Sequence, residues 1–236
     1  MSRRVEQKKA ARVVREQLAR ERRRQRTLWT SVIAAVALVL AGLIGWTVYQ
    51  TQRSDGYTAP AAAVADDTGI ASGDGPVTVD LYADFLCPAC RQFEEQVGPT
   101  LDQLVDDGSI TLVFHPVAIL DRLSSTAYST RAAAASGCAA DGGTFHEYAA
   151  ALYEQQPAEG GPGLTDEQLI EIGTGVGLDA TSFGQCVQDG TYHSWPEHVT
   201  EQASRAGVTG TPTVLVAGER VTNSADAIVA AVEAAG

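Results

Sequence analysis

Lysine is missing from almost all of this chain, since Lys8 and Lys9 are its only two. Residues 1–27 hold 11 of the 17 basic residues against three glutamates, a net charge of +8. The remaining residues carry six arginines and 26 acidic side chains, a net of −20. This uneven charge indicates two segments in two environments. Only the basic tail has the charge for nucleic-acid binding, and because nothing else supports that use we expect no nucleic-acid partner.

Charge of either sign is also missing from residues 28–49. As a helix these 22 residues would span about 33 Å, enough to cross the hydrocarbon core of a membrane. A cleavable signal peptide is the alternative, but its apolar region is usually about 7–15 residues long and ends in small residues. The sequence therefore predicts an uncleaved transmembrane helix. The positive-inside rule leaves residues 1–27 in the cytoplasm and the C-terminal part outside it.

Large apolar residues are scarce in residues 50–75, which consist mainly of Ala, Asp, Gly, Ser, Thr and Pro, and this composition predicts a flexible linker. We expect the folded domain at residues 76–236. Two predicted strands, residues 77–83 and 110–114, enclose a predicted helix over residues 87–105, which is a βαβ unit with a parallel strand pair. Residues 122–206 lack strand character and carry several helix caps. A strand at residues 213–216, a hairpin and a last helix after Ser224 then resume the α/β pattern.

Cysteine is rare, and all four cysteines lie in the part expected outside the cytoplasm, where disulfides persist. Cys87 and Cys90 enclose Pro88-Ala89 at the predicted strand-to-helix junction. The first sulfur then lies at a helix N-terminus, where unpaired N–H groups and the helix dipole favour a thiolate over a thiol. Because the thiolate attacks disulfides and binds metals, this motif is the candidate reaction centre.

Two other uses of the motif are open. One is a static Cys87–Cys90 disulfide, although so small a ring at a helix start is of the kind used in redox chemistry. The other is a zinc site completed by His193 and His198. However, 102 residues separate Cys90 from His193, against roughly 12–15 in compact zinc fingers.

The motif and its setting resemble a known family. Phe85 and Cys87-Pro88-Ala89-Cys90 after a strand, a helical insertion, and Thr211-Pro212 before a later strand resemble the DsbA-like branch of the thioredoxin fold. The resemblance covers residues 76–236. The anchored, acidic form with a second cysteine pair is most similar to actinobacterial DsbA homologues. It implies an α/β thioredoxin fold with an all-helical insertion at about residues 122–206, preceded by one transmembrane helix.

The resemblance also implies roles for the site residues. Cys87 would be the exposed nucleophile, and Cys90 the buried resolving thiol. Pro212 would be a cis-proline that faces the two sulfurs, and Thr211 would offer backbone groups to an extended client. The wall that faces the client would comprise Pro88, Ala89, Thr211 and Pro212. The redox-active disulfide would be the only redox group, with no cofactor and no metal.

One position departs from the family pattern. Many relatives carry a buried carboxylate six residues before the first cysteine, and Leu81 stands there in this chain. Asp80 is its neighbour, but successive strand residues face opposite ways. Either Asp80 substitutes through a local shift, or water or another group takes the proton of Cys90.

The remaining cysteines are Cys138 and Cys186. Four cysteines allow three pairings, and the Cys-x-x-Cys motif selects 87 with 90 and 138 with 186. We interpret the second pair as a structural disulfide. A second redox relay is the alternative.

These observations predict a thiol:disulfide oxidoreductase that introduces disulfides into reduced exported proteins. A quinone-linked membrane partner of the DsbB or VKOR-like type would reoxidise it. A reductase or isomerase of the same fold is the alternative direction, because threonine also precedes the proline in such relatives. A non-catalytic surface module is a third possibility, and the intact Cys87, Cys90 and Thr211-Pro212 argue against it.

Overall fold

The computed structural model describes residues 56–236. The predicted basic tail, the predicted transmembrane helix and residues 50–55 lie outside the described residues. Within residues 56–236, no helix is both long enough and apolar enough to cross a membrane.

A six-stranded mixed sheet is the centre of the described part of the chain, with the strand order β1-β2-β4-β3-β5-β6. Its strands are β1 (Ala63–Val64), β2 (Gly69–Ser72), β3 (Val77–Ala83), β4 (Ile110–Pro116), β5 (Thr213–Val216) and β6 (Glu219–Val221). β3 and β4 run parallel, with Val77 opposite Ile110, and the other neighbours are antiparallel. Helix α1 (Pro88–Asp106) connects β3 to β4, which confirms the predicted βαβ unit. β5 and β6 form the predicted hairpin, with Ala217 and Gly218 as the turn between them.

The insertion between β4 and β5 is helical, as predicted. A single 3₁₀ turn (Asp121–Leu123) precedes α2 (Tyr128–Asp141), α3 (Phe145–Glu154), α4 (Asp166–Gly175), α5 (Ala180–Gln188) and α6 (Trp195–Arg205). Thr165 caps α4 in a capping box with Gln168, and Asp179 accepts hydrogen bonds from the first N–H groups of α5. A last helix, α7 (Ala225–Ala235), ends the chain.

Helix α2 is the buried helix of the insertion. Eleven of its 14 residues are buried, and most are alanine, serine or glycine. Small side chains allow close approach: a Cβ built on Gly137 would lie 2.9 Å from Pro60 and 3.3 Å from Trp195. α2 is thereby held between the segment around Pro60 and α6. Its first turn contacts the loop before Cys87, where the Ser129 hydroxyl donates to Asp84.

The predicted flexible linker is wrong for residues 57–75. The compact unit begins at Tyr57, and the folded domain is therefore longer than the predicted 76–236. β2 pairs with β4, Ile70 opposite Phe114, and the Trp195 indole N–H donates to the carbonyl oxygen of Asp67 at 2.6 Å. This segment is held mainly by backbone pairing and by side chains from distant helices. Its sequence therefore has no apolar pattern long enough to predict strands.

Candidate active site

The turn between β3 and α1 places both cysteines of the motif. The N–H of Cys87 donates to the carbonyl oxygen of Asp84 at 3.0 Å, and Cys87 is the N-cap residue of α1. Pro88 occupies the first helical position, where its fixed φ suits a helix start and its missing N–H costs nothing. Cys90 lies one turn into the helix, and its N–H donates to the carbonyl oxygen of Cys87 at 3.0 Å.

Cys87 is less exposed than predicted. Its relative exposure is 6%, against 1% for Cys90, whereas Pro88 and Ala89 between them are exposed. The Cys87 thiol donates a hydrogen bond to the Thr211 carbonyl oxygen at 3.5 Å. The prediction of an exposed nucleophile is therefore wrong. The Cys87 sulfur is buried, and the exposed residues of the motif are Pro88 and Ala89.

The two thiols have opposite electrostatic environments. A hydrogen bond from the Cys90 thiol, supported by the Thr211 side chain and backbone N–H groups, lowers the pKa of Cys87 to about 6 against the opposing effect of burial. Burial, together with the hydrogen bond to Cys87 and its charge, raises the pKa of Cys90 far above its ordinary value. At neutral pH Cys87 is therefore mostly a thiolate and Cys90 a thiol. A stable thiolate makes the reduced form favourable, so the disulfide form is the stronger oxidant.

Thr211-Pro212 lies opposite the motif. The peptide bond between them is cis, as the resemblance implied. Both residues are half-buried, and the Asn223 side chain donates to the carbonyl oxygen of Pro212 at 2.7 Å, which fixes the loop. The Thr211 carbonyl oxygen contacts the Cys87 sulfur, and Pro88 and Ala89, which follow Cys87, are exposed.

Asp84 is a buried carboxylate that the sequence reading did not single out. Its Oδ1 accepts the N–H of Leu86 at 2.9 Å and the Ser129 hydroxyl at 2.7 Å, and its Oδ2 accepts the N–H of Leu120 at 2.9 Å. Burial raises its pKa to about 6, although these hydrogen bonds oppose the shift. The side chain ties the motif loop to α2 and to the segment after β4. In the sequence, only its position between a predicted strand and the Cys87–Cys90 motif could have indicated that Asp84 belongs to the site.

Gln156 is a second missed residue. It follows α3, and its side-chain amide donates to the carbonyl oxygens of Phe85 and Cys87, both at 3.0 Å. The helical insertion thus contacts the motif backbone directly. No pattern within the sequence marks this glutamine, because the contact spans about 70 residues of chain.

Asp80 does not lie behind the cysteines. Its Oδ1 lies within hydrogen-bond distance of His115 Nε2, at 3.0 Å, on one face of the sheet, where Tyr82 also stacks on His115. Leu81 faces the opposite side and lines a small cavity beside α1. The alternation of side chains along β3 therefore rules out the local shift that would have let Asp80 substitute.

The other cysteines and histidines lie apart from the motif. Cys138 and Cys186 form a disulfide with an S–S distance of 2.07 Å between α2 and α5. His198 stacks on Tyr57, with ring centroids 3.8 Å apart. Among residues 56–236 there is no group of three or more Cys, His, Asp or Glu side chains arranged to hold a metal ion.

The chain is similar to a known protein family and to proteins of solved structure. A family model described as thioredoxin matches residues 66–234. DsbA from Mycobacterium tuberculosis, in its reduced crystal structure, is 35% identical with a TM-score of 0.58; the match covers 65% of this chain and 84% of that one.

Two curated relatives are also similar. A probable disulfide bond formation protein D from Bacillus cereus is 25% identical over 209 residues, which is 86% of this chain and 93% of that protein. The serine/threonine-protein kinase PknE of Mycobacterium tuberculosis is 30% identical over 160 residues, 63% of this chain. The chain spans only 28% of the length of PknE.

Proposed function

This chain belongs to the DsbA-like thiol:disulfide oxidoreductases of the thioredoxin family, and we propose that it works as an oxidase that introduces disulfides into exported proteins. The observation that carries the proposal is the contrast between Cys87 and Cys90. Hydrogen bonds lower the pKa of Cys87 to about 6, while burial raises that of its partner. This contrast favours the dithiol over the disulfide, so the disulfide is readily given to a client.

The exchange starts from the Cys87–Cys90 disulfide. A client thiolate attacks the Cys87 sulfur, a client–Cys87 bond forms, and Cys90 leaves as a thiolate that takes up a proton. A second client thiolate then attacks the client sulfur of the mixed disulfide, and Cys87 leaves as a stable thiolate. The client loses two electrons and the cysteine pair gains them. The rim formed by Pro88-Ala89 and Thr211-Pro212 receives the client chain.

The activity test uses the full chain in detergent. The oxidised protein is mixed with a reduced model protein whose function returns only when its disulfides form. We expect rapid oxidation, with one client disulfide formed for each enzyme disulfide consumed, and no oxidation with Cys87→Ser. Equal behaviour of the two proteins would refute the proposal.

The direction is tested by equilibrating the cysteine pair with glutathione. A reduction potential near −120 mV supports an oxidase, whereas one near −270 mV identifies a reductase. Trapping mixed disulfides in cells with Cys90→Ala tests the non-catalytic alternative, because a surface module would capture no cysteine-containing client.

We also propose that residues 28–49 anchor the domain outside the cytoplasm. The charge difference across this apolar stretch supports the orientation, and the Cys138–Cys186 disulfide suits an oxidising compartment. In cells stripped of their wall, added protease is expected to remove the C-terminal domain and spare an N-terminal tag. Protection of the domain would contradict this topology.

A membrane partner would complete the cycle. The reduced Cys87–Cys90 pair must pass two electrons to an acceptor after each client, and we assign that step to a quinone-linked protein of the DsbB or VKOR-like type. Alkylation of the cysteines in isolated membranes would report their redox state. The pair is expected to reoxidise when a quinone is added, and a pair that stays reduced would exclude such a partner.

A further inference from the structure

Residues 206–212 form the loop that connects α6 to β5 and carries the Thr211 carbonyl oxygen, 3.5 Å from the Cys87 sulfur. Within the described part of the chain, no backbone N–H of residues 209–211 donates to another backbone group. Pro212, the next residue, has no N–H to donate. Backbone pairing therefore does not fix the end of this loop that lies beside the sulfur.

The side chain of Asn223 holds the proline end of the loop. Asn223 follows β6, and its amide nitrogen donates to the carbonyl oxygen of Pro212 at 2.7 Å. Only the NH₂ end of an amide can donate to a carbonyl oxygen, so this bond also fixes which way the amide points. Because Asn223 is exposed, it acts on the loop through this hydrogen bond rather than through burial.

Arg220 and Thr213 hold the rest of the loop. The hydroxyl of the buried Thr213 donates to the carbonyl oxygen of Gly210 at 2.8 Å. The Arg220 guanidinium donates to the carbonyl oxygen of Gly207 at 3.2 Å and to the Thr213 hydroxyl oxygen at 3.4 Å. The guanidinium thus bridges the beginning of the loop and the residue that follows it, which suits the planar fork of arginine.

The charge of Arg220 is not used in an ion pair. Arg91, Arg131 and Arg205 each pair with a carboxylate. Arg220 has no carboxylate partner within residues 56–236, although acidic side chains are abundant there. Its hydrogen bonds go to neutral oxygen atoms of the loop and of β5. The geometry of this side chain therefore serves the loop.

The sheet connects these contacts to the strand that carries the motif. In β5, Thr213 lies opposite Tyr82 of β3, and in the following hairpin Arg220 lies opposite Leu215. β3 leads directly into the turn that places Cys87. A side chain that fixes the loop on β5 therefore also fixes its position relative to the Cys87 sulfur.

We propose that Asn223 and Arg220 are positioning residues, which hold the Thr211 carbonyl oxygen beside the first sulfur of the motif. Asn223 acts through Pro212, and Arg220 acts through Thr213. Neither side chain takes part in the bond changes of the exchange. The role rests on the proposed function, because the position of the loop affects turnover only if the motif reacts with a client.

A loop released from these side chains should alter the reactivity of Cys87. The contact with Thr211 is one of the causes that lower the pKa of Cys87, so its loss should raise this pKa towards the ordinary value. The client would also meet a loop that is no longer held in one position, and misplacement by about 1 Å can cost about 10²-fold in rate. Both effects should slow the exchange.

The test compares Asn223→Asp and Arg220→Lys with the wild-type full chain. A carboxylate has the size of the amide but cannot donate to the Pro212 carbonyl oxygen. A lysine keeps the charge but lacks the planar fork that bridges two acceptors. Each variant is expected to lower kcat/KM for oxidation of a reduced model protein about fivefold or more, as for the loss of one hydrogen bond. Each should also shift the ultraviolet titration of Cys87 to higher pH.

Thr222→Asp is the matched control for charge. Thr222 is the exposed neighbour of Asn223, and its side chain makes no hydrogen bond within the part of the chain that the structure describes. It should keep the wild-type kcat/KM and titration, whereas Asn223→Ala, which adds no charge, should behave like Asn223→Asp. Wild-type values in both Asn223→Asp and Arg220→Lys would overturn the positioning role, as would an equal change in Thr222→Asp.

The two proposals can fail separately. A wild-type chain that does not oxidise the model protein would overturn the proposed function. The titration of Cys87 needs no client, so in that case an unshifted titration in Asn223→Asp and Arg220→Lys would additionally show that these side chains do not hold the loop.

Discussion

The side-chain amide of Gln156 lies 3.0 Å from the carbonyl oxygen of Cys87, and it holds the carbonyl oxygen of Phe85 at the same distance. A residue of the helical insertion therefore fixes the backbone of the reactive motif. The Cys87 carbonyl oxygen also accepts from the N–H groups of Cys90 and Arg91, whereas Gln156 is the side-chain donor to Phe85. The insertion is thus part of the active-site geometry as well as a cover over the sheet.

Replacing Gln156 should loosen the motif. We expect Gln156→Ala to slow client oxidation several-fold, because the Phe85 carbonyl loses its donor while the cysteines remain. Gln156→Glu should also raise the pKa of Cys87, since it puts a negative charge beside the thiolate. Ultraviolet titration of the thiolate and the oxidation assay give both quantities. Gln155→Ala, at the exposed neighbouring position, should change neither, and a normal pKa in Gln156→Glu would contradict the contact.

The loss of the proton from Asp84 should lower the free energy of unfolding as the pH rises. Burial raises its pKa from 3.8 to about 6, so the folded state binds its proton more tightly than the unfolded state. The stabilisation from this proton is fully present below about pH 4 and is lost as the pH rises through about 6. The shift corresponds to about 3 kcal/mol. Urea unfolding at several pH values should therefore show the wild-type chain losing stability relative to Asp84→Asn across this window.

Asp179 provides a control of opposite sign. Hydrogen bonds from the Ser182 N–H and hydroxyl lower its pKa at the start of α5. Its contribution is therefore present above its unfolded pKa and is lost as the pH falls. The wild-type chain should gain stability relative to Asp179→Asn with rising pH. The same direction for both variants would show that Asp84 is not held as described.

The parts of the site that were predictable from sequence are those that local chemistry or a known motif encodes. Cys87-Pro88-Ala89-Cys90 marks a helix start by itself, and the apolar β3 and β4 around α1 define the βαβ unit. Gln156 could not be found this way, because it reaches the motif only when α3 folds back on α1. β2 was also missed, since Gly69 and Ala71 form a strand through backbone pairing rather than through an apolar pattern.

The Cys138–Cys186 disulfide should act as a structural bond. It closes a separation of 48 residues, for which the chain-entropy model gives about 4 kcal/mol of stabilisation, less if the native state relaxes. We expect the double variant Cys138→Ala, Cys186→Ala to lose about 2–4 kcal/mol in denaturant unfolding and to keep its exchange rate with clients while folded. Clients trapped on Cys138 or Cys186 would instead identify a second redox relay.

The hairpin formed by β1 and β2 should contribute to the stability of the domain, although its sequence predicts a linker. A Cβ built on Gly69 would lie 2.5 Å from Cγ1 of Val113 and 3.0 Å from the His115 ring. Gly69→Val should therefore force β2 away from β4 and lower the free energy of unfolding by about 1–3 kcal/mol. It should also make residues 57–75 sensitive to protease. Ala71→Val is the control, because Ala71 is exposed on the same strand and valine suits a strand. Equal stability and equal protease resistance in the two variants would mean that residues 57–75 are not packed on the sheet.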